Sequence, residues 1–327
     1  MRRAISLAEQ GRASAPPNPW VGCVIVKSGA IVGEGFHVKP GALHAEAAAL
    51  AQAKGAARGA TAYVTLEPCS HTGRTPPCTK ALIEAGISRV VIPFLDPDAI
   101  SGEGVTVLRE AGITVDIGTG KEEAYRSLAP YLHHRKTGMP YCILKTATSI
   151  DGGTKAADGT SKWITSEGAR ADCKRLRTQC QAILIGSETA IQDNPSLKEC
   201  GLRVILDRRG RVPDDLALFQ NPTLVFTASD RRYKNAETIK VGSLKEVLLE
   251  LGRRGIIQLF VEGGSTIHTA FFEEGFVNKY IVYIGNCLLG SQGLGLNVPT
   301  IEKAPRLKLE EVVKLGNDCR LTYSQIG

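Results

Sequence analysis

The spacing of apolar and polar positions predicts most elements of this chain before any chemistry is considered. Residues 2–11 set Ile5 and Ala8 on one face of a helix, ended by Gly11 and by Pro16-Pro17-Asn18-Pro19. Residues 21–26 and 31–36 read as strands joined through Ser28-Gly29, which makes a hairpin. An alanine-rich helix over 44–54, a strand over 62–66 and a helix over 78–85 follow. Then come a strand over 88–92, a helix over 105–111, a strand over 113–115 and a helix over 121–133. Such alternation predicts a layered α/β domain. In the second half, residues 202–206 and 257–261 read as strands, the latter running into Gly263-Gly264 and a helix opened by Ser265.

At 327 residues and 43% apolar, the chain is long enough for two domains with cores of their own. The linker is placed at residues 136–140, giving domains over 1–138 and 139–327. Nine cysteines, an odd number without paired spacing, predict a reducing compartment. The first residues mix charge into a helical pattern and lack the apolar stretch of a signal peptide, and no apolar run approaches the ~18 residues of a membrane span. A cytoplasmic protein with no membrane partner is expected. The net charge of +7 divides almost evenly, +3 over residues 1–138 and +4 over the rest. With no basic patch, and aromatics at 6% that do not interleave with Arg or Lys, no nucleic-acid partner is expected. The second half carries neither G-x-G-x-x-G after a strand nor a P-loop, which speaks against a Rossmann domain or a P-loop ATPase.

The sharpest chemistry lies in His44-Ala45-Glu46, Pro68-Cys69 and Cys78. One imidazole and two thiols suit Zn²⁺, and three protein ligands leave the fourth tetrahedral position for water, as in catalytic sites. A structural knuckle would need a fourth ligand close by, and only His71 is available. Glu46, two positions from His44 on the first turn of a helix, is placed to move a proton as general base and then acid. Ligand types match the zinc-deaminase signature H-x-E followed by P-C-x-x-C, but eight residues separate Cys69 from Cys78 instead of two. Both metal-bearing segments open helices, whose free N–H groups and dipole favour thiolate. His133-His134 carries no metal in this reading, because adjacent helical residues diverge and Arg135-Lys136 marks a solvated helix end.

The segment from Leu66 to Cys78, Leu66-Glu67-Pro68-Cys69-Ser70-His71-Thr72-Gly73-Arg74-Thr75-Pro76-Pro77-Cys78, together with Pro17-Asn18-Pro19-Trp20-Val21-Gly22-Cys23, resembles the deaminase half of the RibD family of bifunctional riboflavin-biosynthesis enzymes. The second half resembles that family's reductase in Lys145-Thr146-Ala147, Ser161-Lys162-Trp163, Gly186-Ser187-Glu188-Thr189, Asp193-Asn194-Pro195-Ser196-Leu197 and Glu262-Gly263-Gly264-Ser265-Thr266. The resemblance implies a cytidine-deaminase-like α/β/α sandwich followed by a dihydrofolate-reductase-like α/β domain, with Zn²⁺ and NADPH as cofactors. It implies hydrolytic deamination of a diamino-ribosylaminopyrimidinone phosphate and then reduction of the ribosyl group to ribityl, in a homo-oligomer, dimer or tetramer.

By the same resemblance Asn18 faces the pyrimidine. Ala147, Trp163, Thr189, Asp193 and the turn Gly264, Ser265, Thr266, Ile267, His268, Thr269, Ala270 line NADPH; Ser161, Arg177, Leu197 and Glu262 touch the ribosyl substrate. Lys145 lies under the reaction centre, where it can stabilise developing negative charge. Two stretches depart from the family. Leu197 is followed by Lys198-Glu199-Cys200, where the family has Thr, any residue and a phosphate-binding Arg; Lys198 and Arg203 are the candidate replacements. Asp98 and Glu103 also make the loop after Asp96 more acidic than the family's. Cys200 is the feature that favours the alternative reading, a deaminase whose second half only binds or oligomerises. A nucleic-acid deaminase working by base flipping is disfavoured by the missing basic aromatic groove and by the whole second domain.

Overall fold

A computed structural model describes residues 1–72, 76–98, 102–199, 201–290, 295, 298 and 300–325. The chain divides into two compact units, Met1–Gly138 and Met139–Gly327.

In the first unit, β1 (Gly22–Lys27) and β2 (Ala30–Phe36) form the hairpin, with Ser28 and Gly29 both at positive φ, as a two-residue primed turn requires. β3 (Thr61–Val64), β4 (Arg89–Ile92) and β5 (Thr114–Ile117) complete a five-stranded sheet of order β2-β1-β3-β4-β5. β1 is antiparallel to both neighbours, whereas β3, β4 and β5 run parallel. α1 (Arg2–Ala8) buries Ala4 and Leu7 with Val24 on one face. α2 (Ala45–Ala53), α3 (Cys78–Glu84) and α4 (Gly104–Glu110) pack Ala45, Ala49, Leu82 and Leu108 with Cys23 and Ile25 on the other. Alternation along β1 thus feeds two layers and produces the sandwich. α2 lies so close to β2 that a Cβ on Gly35 would come within 2.6 Å of both the Ala45 carbonyl and the Ala49 nitrogen.

α5 (Lys121–Thr137) corrects the sequence reading at its C-terminal end. It runs on past His133 and is stopped by Gly138 in the left-handed conformation, which shortens the linker. His134 is buried, with Nδ1 3.3 Å from an Arg135 guanidinium nitrogen, rather than solvated. One face of this helix still packs inward, and four further residues of helix carry His134 onto it.

The second unit is a nine-stranded sheet of order β10-β9-β8-β7-β11-β6-β12-β14-β13. Its strands are β6 (Tyr141–Thr148), β7 (Ala182–Gly186), β8 (Leu202–Leu206), β9 (Thr223–Thr227), β10 (Glu237–Lys240), β11 (Gln258–Glu262), β12 (Lys279–Ile284), β13 (Leu307–Leu315) and β14 (Asp318–Gln325). All pairings from β10 to β12 are parallel and the last two antiparallel. β7 and β9 are buried along their whole length, as strands covered on both faces must be. α6 (Glu167–Thr178) and α7 (Ser187–Asp193) supply Ala169, Cys173 and Ala190 to a core with Ile143, Phe260 and Tyr283 on one face. α8 (Leu244–Arg253) and α9 (Ser265–Glu273) cover Leu144, Leu259 and Val261 on the other. No described helix is long and apolar enough to cross a membrane.

Candidate active sites

In the first unit, His44 is the N-cap of α2 and Cys78 the first residue of α3, while Cys69 lies in the loop between β3 and α3. Their ligand atoms lie within 4.8 Å of one another, and among the described residues this is the one His/Cys/Asp/Glu group that could hold a metal. His44 Nδ1 is 3.2 Å from Cys78 Sγ and 3.6 Å from Cys69 Sγ. A nitrogen and a sulfur bound tetrahedrally to one zinc stand about 3.6 Å apart, so these donors fit the ion in type, number and spacing. The Cys78 backbone N–H donates to Cys69 Sγ at 3.4 Å. A hydrogen bond from the Cys78 side chain, seconded by one from His44, holds the Cys69 thiol below its ordinary range, so one thiolate is already favoured.

Glu46 is 3% exposed on the first turn of α2, and burial raises its carboxyl. Two neighbours were given no role by the sequence. His37, buried just after β2, accepts through Nε2 from Asn18 Nδ2 at 3.0 Å and donates from Nδ1 to the Leu43 carbonyl at 3.1 Å, and its ring meets His44 edge-on at 5.2 Å. Burial lowers its pKa, which favours the neutral ring. Glu67 accepts the backbone N–H groups of Asp96 at 3.0 Å and Val105 at 2.9 Å, tying the Cys69 loop to the start of α4. Asp98 lies 3.2 Å from Arg135, so the acidity expected of its loop is offset. Glu103 is exposed.

In the second unit, the parallel register sets Glu262 at the end of β11 directly beside Lys145 of β6. α6 lays Arg177 across this pair: Nε donates to Glu262 Oε1 at 2.9 Å and Nη2 to Oε2 at 2.7 Å, a bidentate fork. The Cys173 thiol is 3.6 Å from the same Oε1. Burial works against the Glu262 charge, but Lys145 and Arg177 more than offset it and keep its carboxyl below the usual range.

Of the remaining expected residues, Thr189 and Asp193 lie on α7 and Ala147 on β6. Lys162 Nζ is 3.3 Å from Asp193. Ser161 is exposed, and Trp163 is exposed under an Arg170 guanidinium 4.6 Å from its ring. Gly264 opens α9 with clear space where a Cβ would sit. Ser265, Thr266, Ile267, Thr269 and Ala270 follow on the helix, with Ile267 filling the space beside Gly186 and Gly263.

Three of the expected or candidate residues lie in the interior. His268 is fully buried and meets Tyr280 edge-on. Leu197 is a core residue, at positive φ. Arg203 spends its guanidinium on the carbonyls of Ser196 and Gly201, which removes it as a replacement phosphate ligand. Lys198 is exposed, and Cys200 lies outside the described residues.

With this geometry in hand, comparison with known proteins is specific. The model of the RibD C-terminal domain matches residues 140–321, and that of the cytidine and deoxycytidylate deaminase zinc-binding region matches residues 1–93. The riboflavin biosynthesis protein RibD of Chlamydia muridarum is 40% identical over an alignment 357 positions long, covering 100% of this chain and 96% of its own. That of Escherichia coli is 40% identical, covering 97% and 96%. Among solved structures, a form of Acinetobacter baumannii RibD superposes with a TM-score of 0.93 at 39% identity, covering 100% of this chain and 98% of its own. A deaminase/reductase from Thermotoga maritima reaches 0.93 at 34% identity, covering 100% and 97%.

Proposed function

From the premise that the chain belongs to the RibD family of bifunctional riboflavin-biosynthesis deaminase/reductases, we propose that the two clusters just described carry its two reactions. The supporting observation is their completeness: three zinc-type donors within 4.8 Å beside a buried Glu46, and a cluster of Lys145 and Glu262 on adjoining strands with Arg177 from α6.

For deamination, His44, Cys69 and Cys78 would hold the zinc, which when bound would supply an acidified water, with a pKa near 7. Glu46 accepts a proton from the attacking water and returns it to the amine leaving the pyrimidine ring. Burial suits it to both duties, because a raised carboxyl pKa brings donor and acceptor forms closer to neutral pH. Asn18 presents its amide to the pyrimidine edge, held at the other end by His37.

For reduction, a bound NADPH would supply a hydride equivalent, to be taken up at C1′ of the ribosyl group as its bond to the ring oxygen opens. Lys145 faces that oxygen and stabilises the charge it takes up, then protonates it. Glu262 and Arg177 hold the sugar hydroxyls through whichever lone pairs and N–H groups their mutual fork leaves over. Ser161 and Leu197 complete the ribosyl contacts, while Ala147, Trp163, Thr189, Asp193 and the Gly264–Ala270 turn line the cofactor.

The half-exposed Leu309 and Val312 of β13, on the last strand of the sheet, support assembly into a homo-oligomer, dimer or tetramer. The reducing-type cysteine usage supports a cytoplasmic setting. The functional reading is tested with zinc-loaded protein and the diamino-ribosylaminopyrimidinone phosphate under anaerobic conditions, following ammonia and NADPH together. Ammonia with matching NADPH loss is the expected result; ammonia alone would leave only the deaminase.

A further inference from the structure

Lys145 carries a long flexible stem, and an ammonium on such a stem stabilises charge only if something fixes where it sits. Glu262 gives it one wall, across the β11–β6 register. The other wall is on β12, where Ile281 pairs with Lys145 and Tyr283 with Ala147, so Tyr283 is the diagonal neighbour of Lys145 on the same face. Lys145 Nζ lies 5.9 Å from the centre of the Tyr283 ring, inside the ~6 Å reach of a cation over an aromatic face.

The ring itself is held unusually firmly. Tyr283 is 1% exposed, and its hydroxyl donates to Asp172 Oδ2 at 2.8 Å. The same oxygen accepts Arg320 Nη1 at 2.7 Å, while Arg175 donates to Oδ1 at 2.7 Å. Arg320 is in turn tied to Glu311 of β13 at 2.6 Å. Asp172 and Cys173 are consecutive on α6, so the helix that anchors the ring also brings a thiol to Glu262, the opposite wall.

We propose that Tyr283 is a positioning residue for the reductase: its ring face fixes the Lys145 ammonium at the oxygen leaving C1′, and Asp172 fixes the ring. The inference rests on the role given to Lys145 above. The ring face is the working part; the hydroxyl only anchors it, with packing on all sides as a second restraint.

The test compares Tyr283→Phe, Tyr283→Leu and Lys145→Ala in the full zinc-loaded chain, with the deaminated ribosyl compound and NADPH. Tyr283→Phe keeps the face and is expected to hold kcat within about threefold; Tyr283→Leu loses it and should lower kcat by about tenfold or more. In the Leu variant KM for NADPH should stay within about twofold, and deuterium at the transferred position of NADPH should slow turnover more than in the parent, because hydride transfer has become limiting. Ammonia release from the diamino substrate, measured on the same samples, should not change.

Equal losses in the Phe and Leu variants would overturn the proposal in favour of the hydroxyl link, and no loss in either would overturn it outright. Should the Leu variant fail to bind NADPH, the Phe variant decides alone: if it binds NADPH yet loses turnover, the ring face is not what matters. Full activity in Lys145→Ala, or no NADPH consumption by the parent, would instead remove the reductase reading and the inference with it.

Discussion

At the scale of single residues, burial and pairing decide what each carboxylate does. Glu46 and Glu262 are both shielded from solvent, yet burial leaves the first raised, while Lys145 and Arg177 pull the second down. The former suits proton transfer and the latter permanent charge. Glu46→Gln keeps the shape and removes the proton carrier, so ammonia release should fall by about 10²–10⁴-fold, while zinc content and NADPH oxidation of the deaminated compound stay at parent levels. Zinc lost together with activity would mean that Glu46 supports the site instead of working in it. Glu262→Gln leaves the Arg177 fork one charge short; kcat/KM of the reductase should drop by roughly 30-fold, the equivalent of about 2 kcal/mol, with deamination untouched. Steady-state kinetics of the two half-reactions on one preparation check both substitutions.

At the scale of elements, the zinc ligands are placed by packing rather than by their own bonds. α2 delivers His44 and Glu46, and it can lie against β2 only because Gly33 and Gly35 have no side chains; a Cβ on Gly35 would also meet Ala48 Cβ at 2.7 Å. Gly35→Ala must therefore push the helix away, at about 1–3 kcal/mol, and carry His44 off the two cysteines. A lower zinc-to-protein ratio and slower deamination are expected, with the reductase unchanged. Gly55→Ala, where nothing lies within 4 Å, is the control and should be close to neutral. An unchanged zinc ratio in Gly35→Ala would show that the helix has slack that its packing does not suggest. Elements of this kind were largely legible from sequence, because Ser28-Gly29 marks a hairpin and the run after H-x-E reads as an alanine-rich helix. The end of α5 was not legible: charge at Arg135-Lys136 suggested solvent, whereas the left-handed Gly138 sets the stop and the inward face claims His134. Nor were the pairs His37–Asn18 and Tyr283–Asp172, whose members lie far apart in sequence and meet only through strand register and helix docking.

At the scale of the whole molecule, the zinc donors and Glu46 belong to Met1–Gly138 and the Lys145 cluster to Met139–Gly327, and each unit has a core of its own. His44 and Cys78 stand 34 positions apart, so a shared ion closes a long loop of the first unit and has no ligand in the second. Exhaustive chelation should therefore abolish ammonia release and lower the thermal stability of the first unit, while NADPH oxidation continues at an undiminished rate when the deaminated compound is supplied directly. The order of additions matters: given only the diamino substrate, the chelated protein should consume no NADPH, because its second reaction is starved of the product of the first. Restoring zinc should recover both signals, ammonia first. If chelation instead slowed NADPH oxidation of the deaminated compound in the same proportion as ammonia release, the units could not be energetically separate, and the assignment of one reaction to each would have to be given up.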